Sequence, residues 1–330
     1  MFMLRRPRRN RKSNTIRRLV QETVLTVDDL VYPLFLVDGD NIKEEITSLP
    51  GNFRLSLDQM KHEVKSAVGL GLHSFMIFPK IGDENKDKKA SYSYSKNNYY
   101  LNAISELKSA FPDVTLISDV AMDPYNIDGH DGLVENGKIL NDASIEVLVK
   151  MSLAQAKAGF DILGPSDMMD GRVGAIRRAL DSEGYEDTGI MSYSAKYASA
   201  YYGPFRDALD SAPVSDVNIP KDKKTYQMNP ANKREALIEG ALDVEEGADF
   251  LMVKPALNYL DVIHIMKENF NLPIAAYHVS GECAMLIAAC QNGWLEYNKA
   301  MPETLLSLKR AGTDVIISYF AKDYAQMVNG

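Results

Sequence analysis

Residues 247–254 read Gly-Ala-Asp-Phe-Leu-Met-Val-Lys, and the same plan returns at 158–164 (Ala-Gly-Phe-Asp-Ile-Leu-Gly) and at 311–319 (Ala-Gly-Thr-Asp-Val-Ile-Ile-Ser-Tyr). Each begins with a glycine placed where a helix should stop, because glycine accepts the left-handed backbone of a helix end. Each continues into a near-continuous apolar run, the pattern of a strand buried on both faces of a parallel sheet. Working outward, five more such runs appear. In chain order the eight are Val31–Val37, His73–Pro79, Val114–Val120, Phe160–Gly164, Gly189–Tyr193, Asp249–Lys254, Pro273–Tyr277 and Asp314–Tyr319. Helix-length segments with 3.6-type apolar spacing lie between them, most clearly Met60–Leu70, Tyr100–Phe111, Ile145–Ala158 and Arg234–Glu246. Eight strands with intervening helices predict a (β/α)8 TIM barrel over residues 28–330. The alternative is a doubly wound open sheet. No G-x-G-x-x-G follows the first run, so that fold's usual dinucleotide signature is missing and no organic cofactor is expected.

The composition of the 330 residues, 45% hydrophobic and 25% charged, excludes a disordered chain, a collagen-like fibre and a disulfide scaffold. Cys283 and Cys290 cannot build a disulfide framework and read as ordinary buried thiols, which predicts a cytoplasmic setting. No uncharged apolar stretch is long enough for a membrane span. The net charge of -8 is uneven. Residues 1–20 hold eight cations and no acid, so the rest must carry -16. Residues 1–27 therefore read as a basic arm before an acidic body. Contact with another subunit is the favoured use of the arm; a solvated tail, targeting and nucleic-acid binding are the competitors. The acidic body would repel phosphate, so no nucleic-acid partner is expected.

A barrel of this kind carries its chemistry at the carboxyl ends of its strands. Six of the eight runs end in groups able to move protons or form covalent bonds: Ser118-Asp119, Ser166-Asp167, Ser192 to Lys196, Lys254, Tyr277 to Glu282, and Ser318-Tyr319. Lys254 abuts Phe-Leu-Met-Val, and burial there disfavours the ammonium. A neutral amine can attack a ketone or aldehyde and form a Schiff base. Lys196 lies just past a neighbouring run, and two ammonium groups in one mouth would depress each other's pKa. The plainer readings are a Lys254 paired with a buried carboxylate and a Lys196 at a helix start facing solvent. One reactive lysine suffices for a class I aldolase-like lyase; two suggest either two carbonyl substrates or one amine with a cationic helper.

The loop from Asp119 to Gly132 crowds Asp119, Asp123, Asp128, Asp131 and His130 together. Oxygen ligands suit Mg²⁺ and a histidine widens the choice, but without a thiol no structural zinc is expected. The plain alternative is a loop rich in turn formers. Residues 201–227 are long and polar, with Arg206, Lys221, Lys223 and Lys224 among Gly203, Pro204, Pro213 and Pro220. They could form a lid whose cations hold a carboxylate. Glu235, Glu239 and Asp243 form an acidic stripe, by default a solvated face and more sharply a place for a hydrated Mg²⁺.

At these residues the chain resembles the porphobilinogen synthase (δ-aminolevulinic acid dehydratase) family. The likeness runs from Arg6-Pro-Arg-Arg and Tyr32-Pro-Leu-Phe through Asp119–Gly132, Pro165–Arg172, Ser192–Arg206, Tyr226-Gln227, Met252-Val-Lys-Pro255 and Tyr277–Glu282 to Tyr319. The resemblance implies a hydro-lyase of tetrapyrrole (haem and chlorophyll) biosynthesis that condenses two δ-aminolevulinate molecules into porphobilinogen with loss of two waters. It implies imines on both Lys254, with the substrate supplying the propionate side, and Lys196, with the other. Arg206 and Lys223 would bind the carboxylate of the second molecule; Ser280 and Tyr319 would bind that of the first. Gln227, Tyr193, Phe205 and Tyr277 would line the substrate site, while Asp119, Ser166 and Asp167 position amines and move protons. Three cysteines of the zinc-dependent branch are here Ala121, Asp123 and Asp131, so the resemblance points to the magnesium-responsive branch. Glu239 matches the carboxylate of an activating, allosteric Mg²⁺; Asp123 and Asp131 stay open as further metal candidates. Lys223 departs from the arginine of many relatives, keeping the charge but losing the fork. The arm matches one that wraps a neighbouring subunit in a homo-octamer.

Overall fold

Eight parallel strands close into a barrel in the computed structural model, which describes residues 3–210 and 216–330. They are β1 (Leu30–Val37), β2 (Ser74–Lys80), β3 (Thr115–Ile117), β4 (Ile162–Leu163), β5 (Gly189–Lys196), β6 (Phe250–Lys254), β7 (Ile274–His278) and β8 (Val315–Ser318). Each pairs with the next in chain order, and β8 returns to β1 through Leu30↔Ile316 and Val31↔Ile317. That closure decides against the open sheet. Every expected run contains a strand, but the lengths differ. β3 and β4 are short because the ladder breaks beyond Ile117 and Leu163, with one isolated bridge between Val120 and Pro165. Proline has no N–H to continue it. β5 runs three residues further than expected, so Lys196 ends the strand itself and does not start a helix.

The near-continuous apolar runs have the burial they predicted: β7 is buried at all five positions, β1 at its first seven. Their outer faces are covered by helices. The arm holds α1 (Asn14–Leu19). Around the barrel follow α2 (Leu57–Val68), α3 (Tyr99–Ala110), α4 (Asn141–Ala158), α5 (Arg172–Ser182), α6 (Gly203–Leu209), α7 (Glu235–Glu245), α8 (Leu260–Asn269), α9 (Ser280–Gln291), α10 (Tyr297–Ala311) and α11 (Ala321–Asn329). α4 starts four residues before the apolar spacing suggested, because Asn141 and Asp142 supply a polar first turn. It stops at Gly159, whose φ of 105° is the left-handed conformation that its place in the sequence called for; Gly312 ends α10 in the same way.

The arm, with its turn at Pro7–Arg11 and α1, buries none of the residues in those two elements. An antiparallel hairpin of Lys43–Glu45 and Phe53–Leu55 follows β1 and lies beside it, pairing Phe35 with Arg54. In the segment 201–227, residues 211–215, including Pro213, lie outside the described residues. Among those described, no helix is long and apolar enough to cross a membrane.

Gly164 shows how tightly the strand ends pack: a Cβ there would lie 2.6 Å from the Ser118 carbonyl oxygen and 3.2 Å from the Tyr193 ring. Gly164→Ala should therefore cost about 1–3 kcal/mol, the range for overpacking a core, read as a lowered denaturant midpoint. Gly203→Ala, where a Cβ meets nothing within 4 Å, should stay within about 0.5 kcal/mol of the parent.

Candidate active site

Lys196 and Lys254 are direct register partners across the parallel pair β5–β6. Parallel register neighbours present their side chains to the same face, and both lysines are about 6% exposed, inside the barrel mouth. Lys254 Nζ lies over four aromatic rings: Tyr277 at 4.5 Å, Phe205 at 5.0 Å, Tyr193 at 5.1 Å and Tyr202 at 5.4 Å from the centroids. Among the described residues it has no ion pair and no hydrogen bond. Burial, helped by the charge of Lys196, lowers its pKa to about 7. Lys196 stands differently. Its ammonium donates to the Ser166 carbonyl and lies 3.7 Å from Asp131 Oδ2. The two plainer readings of these lysines are thereby set aside: Lys254 is not paired with a carboxylate, and Lys196 does not face solvent.

Three of the expected polar groups flank the pair. Asp119 is buried, and burial raises its pKa to about 6 although both lysines pull it down. Its Oδ1 is a buried acceptor with no partner. Ser166 stands beside it and hydrogen-bonds it, holding back that rise. Asp167 is likewise raised to about 6 by burial, against the opposing charge of Arg172. One of its oxygens accepts from the Met169 N–H at 2.8 Å; the other has no partner. A carboxyl that titrates near neutrality, with a vacant lone pair facing an amine, can pass protons.

The lid-side residues converge from the other side. Lys223 is buried, with Nζ 3.0 Å from both Asp123 Oδ2 and Asp131 Oδ2. Burial alone would lower its pKa, but the two carboxylates raise it, so it stays charged. Burial and Asp131 push Asp123 up, whereas Lys196 and Lys223 outweigh burial and push Asp131 down. His130, expected beside these carboxylates, instead bonds the Tyr226 hydroxyl at 3.0 Å and the Pro220 carbonyl at 2.8 Å. Gln227 is buried one turn on, its N–H donating to the Lys223 carbonyl at 2.8 Å. Arg206 lies on α6, half-buried and without an ion pair among the described residues. Ser280 opens α9, and its hydroxyl accepts from the Phe205 N–H at 2.9 Å. Tyr319 and Tyr277 share a hydroxyl contact of 3.1 Å.

Glu239 is the expected residue that the structure leaves apart. It sits on α7, half-buried in a cleft away from the lysines, with Asp170, Asn141 and Glu235 and with Gln227 on its other wall. Burial raises its carboxyl to about 7, Arg172 opposing. The stripe Glu235–Glu239–Asp243 is not a solvated face: Asp243 is 1% exposed, pairs with Arg172 at 3.1 Å and accepts from Ser192 at 2.7 Å. Cys290 also departs from expectation, being only partly buried, while Cys283 is fully so. Among the described residues no group of three or more His, Cys, Asp or Glu could hold a metal ion.

Arg172 was quoted in the sequence only as part of a block. It is buried, and it ties Asp243, Ser192 Oγ (3.0 Å) and the Tyr193 carbonyl (3.2 Å) to the neighbourhood of Asp167 (3.7 Å). Tyr202 and Phe78 were also missed. Phe78 stands edge-on to Phe205 at 5.0 Å and so supports the ring over Lys254. An apolar residue inside a strand carries no local mark of such a role.

With this geometry established, comparison with known proteins places it. A family described as delta-aminolevulinic acid dehydratase matches residues 4–327. The delta-aminolevulinic acid dehydratase of Chlamydia pneumoniae is 54% identical over 97% of this chain and 95% of its own length. That of Bradyrhizobium diazoefficiens is 51% identical over 97% and 90%. A crystal structure of the Toxoplasma gondii ME49 enzyme, in complex with its reaction product porphobilinogen, superposes with a TM-score of 0.95 at 50% identity, covering 98% of this chain and 91% of that one.

The amine of Lys254 should react with electrophiles along a pH profile centred near 7, the value set by burial and by Lys196. Lys196→Gln removes the like charge and should move the midpoint upward, as read by mass spectrometry of timed amine modification. An unmoved midpoint would mean that the two ammonium groups do not interact.

Proposed function

Since the chain belongs to the delta-aminolevulinic acid dehydratase family, and so condenses two δ-aminolevulinate molecules into porphobilinogen with loss of two waters, we propose that Lys254 and Lys196 each hold one substrate as an imine. The observation that carries this reading is their side-by-side register in one closed mouth. Each amine adds to a ketone carbon, and each addition expels one water. Lys254, with its pKa near 7, is about half free amine at neutral pH, and the free amine is the form that attacks. The carbon next to the Lys196 imine loses a proton and forms the C–C bond to the imine carbon on Lys254. The amino group of the Lys254-bound molecule adds to the imine carbon on Lys196 and displaces that lysine. Release of Lys254 and loss of ring protons complete the pyrrole. Asp119, between both amines and poised near 6, takes and returns these protons; Ser166 and Asp167 orient the amino groups.

The carboxylates of the two substrates need separate clamps. Ser280 and Tyr319 suit the first, under the Tyr193, Phe205 and Tyr277 rings. Arg206, Lys223 and Gln227 suit the second. Lys223 keeps its charge but is shared with Asp123 and Asp131, so a substrate carboxylate would compete with them for it. With that ammonium between them, Asp123 and Asp131 do not fit a divalent cation. Glu239 does fit: a half-buried carboxyl, raised by burial, gains from a hydrated Mg²⁺, which keeps most of its waters. Such an ion supplies charge that holds α7 in place, and its effect on the distant lysines would be allosteric. The exposed basic arm and the exposed Ile238 and Leu242 of α7 support assembly into a homo-octamer in which the arm contacts a neighbour. The two free cysteines suit a cytoplasmic setting.

Borohydride added during turnover should trap substrate on both Lys254 and Lys196, located by peptide mass spectrometry. One adduct, abolished by Lys254→Ala and present in Lys196→Ala, would favour the aldolase-like reading with Lys254 alone. Mg²⁺ should raise the rate of porphobilinogen formation, measured with Ehrlich reagent. Glu239→Ala should remove that response and keep the basal rate; a parent-like response would place the activating ion elsewhere.

A further inference from the structure

Helix α6 carries Arg206 and sets Phe205 over Lys254, yet at seven residues it is too short to hold its own position. Both of its ends are tied down. At its start, the Phe205 N–H donates to Ser280 Oγ, and Gly281 admits the Tyr201 backbone so closely that a Cβ would lie 2.4 Å from the Tyr201 carbonyl oxygen. At its end, a helix leaves its last carbonyls without intrahelical partners. Arg54 takes two of them. Its Nε donates to the Ala208 carbonyl at 2.8 Å and its Nη2 to the Asp207 carbonyl at 2.6 Å. Its Nη1 is held by Glu44 at 2.7 Å. Lys86, from the loop after β2, donates to the Asp210 carbonyl at 3.2 Å. Two cations, one from the hairpin and one from the loop after β2, thus sit at the negative pole of α6.

Arg54 belongs to the hairpin beside β1, paired in register with Phe35. The Phe35 ring in turn packs 5.9 Å from Phe205 and stacks 6.0 Å from Tyr319. The hairpin's Lys43, Phe53 and Leu55 share a cleft with Phe35 and Tyr319, and among the described residues its hydrogen bonds to α6 come from Arg54. We infer that Arg54 is a positioning residue for the condensation: by clamping the carboxyl end of α6 it sets where Arg206 meets the second substrate and where Phe205 covers Lys254. The Arg206 half of this rests on the reading of Arg206 as a carboxylate clamp; the Phe205 half does not.

The test uses the full chain with Arg54→Ala, Arg54→Lys, Arg206→Ala and the double variant Arg54→Ala/Arg206→Ala, with thermal melts alongside. Arg54→Ala should raise KM for δ-aminolevulinate roughly tenfold, the scale of a misplaced binding group, with a smaller loss of kcat. Arg54→Lys should fall between, because one ammonium cannot span both carbonyls. On the Arg206→Ala background, Arg54→Ala should add nothing to KM. An unchanged KM in Arg54→Ala, or a full further rise in the double variant, overturns the inference. A KM unmoved by Arg206→Ala itself would sink only the carboxylate reading, and a second readout then decides. That readout is the pH midpoint of borohydride trapping at Lys254. Arg54→Ala should shift it upward, because withdrawal of Phe205 admits water to the amine, and should add no shift to Phe205→Ala. A midpoint identical to the parent rejects the clamp. Should Arg54→Ala melt before the assay temperature, Arg54→Lys carries both comparisons.

Discussion

Two amines brought side by side by strand register, in a place too apolar to keep both charged, set the terms for the rest of the molecule. Adjacent parallel strands lie about 4.8 Å apart, and Lys196 and Lys254 end neighbouring strands at matched positions. The strands can deliver them there because most of their remaining residues are buried, and apolar except for the serines of β5. A polar residue inside either strand needs a partner in the core, as Ser192 finds in Asp243 and Arg172; at the carboxyl end the same residue reaches the mouth. The fold therefore confines its chemistry to the strand ends by the cost of placing it anywhere else.

Register alone would make the lysines equivalent, and the product is not symmetric. The difference comes from their carboxylate neighbours. Lys196 has Asp131 at 3.7 Å and the Ser166 carbonyl as acceptor. Lys254 has aromatic faces and, among the described residues, no carboxylate within ion-pair distance. Ring faces attract a cation by about 0.5–2 kcal/mol, which is too little to replace the water it loses. So Lys254 gives up its proton near neutrality. Asp131 is itself kept ionised by Lys223 as well as Lys196. A loop of the lid side thereby helps decide which amine is the better nucleophile.

The barrel was legible because its signal repeats: glycine stop, polar turn and apolar run recur along the chain, and each recurrence constrains the others. The lysines were legible because a cation adjoining an apolar run contradicts its surroundings. What could not be read depends on distance in sequence. Asp243 looked like one tooth of an acidic stripe, and only α5 packing beside it reveals Arg172 as its partner. His130 looked like a metal ligand among aspartates, yet Tyr226 and Pro220 claim it from the lid side. The extent of β5 was underestimated because Ser192, Tyr193 and Ser194 broke the apolar run, although all three are buried. Ser192, for one, is held by Asp243 of α7 and Arg172 of α5, partners that no local pattern displays.

The same burial that prepares the site works against the stability of the free enzyme, and the sign can be followed with pH. Asp119 moves from 3.8 to about 6 on folding. The folded chain holds that proton more tightly, so its contribution favours folding below 3.8 and is lost as pH rises through 6. Lys254 moves from 10.5 to about 7. The folded chain holds that proton less tightly, so stability improves only as pH climbs from 7 toward 10.5. Near neutrality both groups therefore count against the fold at once. Converting the Lys254 amine to an imine removes a group that resists burial as an ammonium, and a substrate amine beside Asp119 gives its carboxylate a partner. Substrate binding should therefore ease both costs at once.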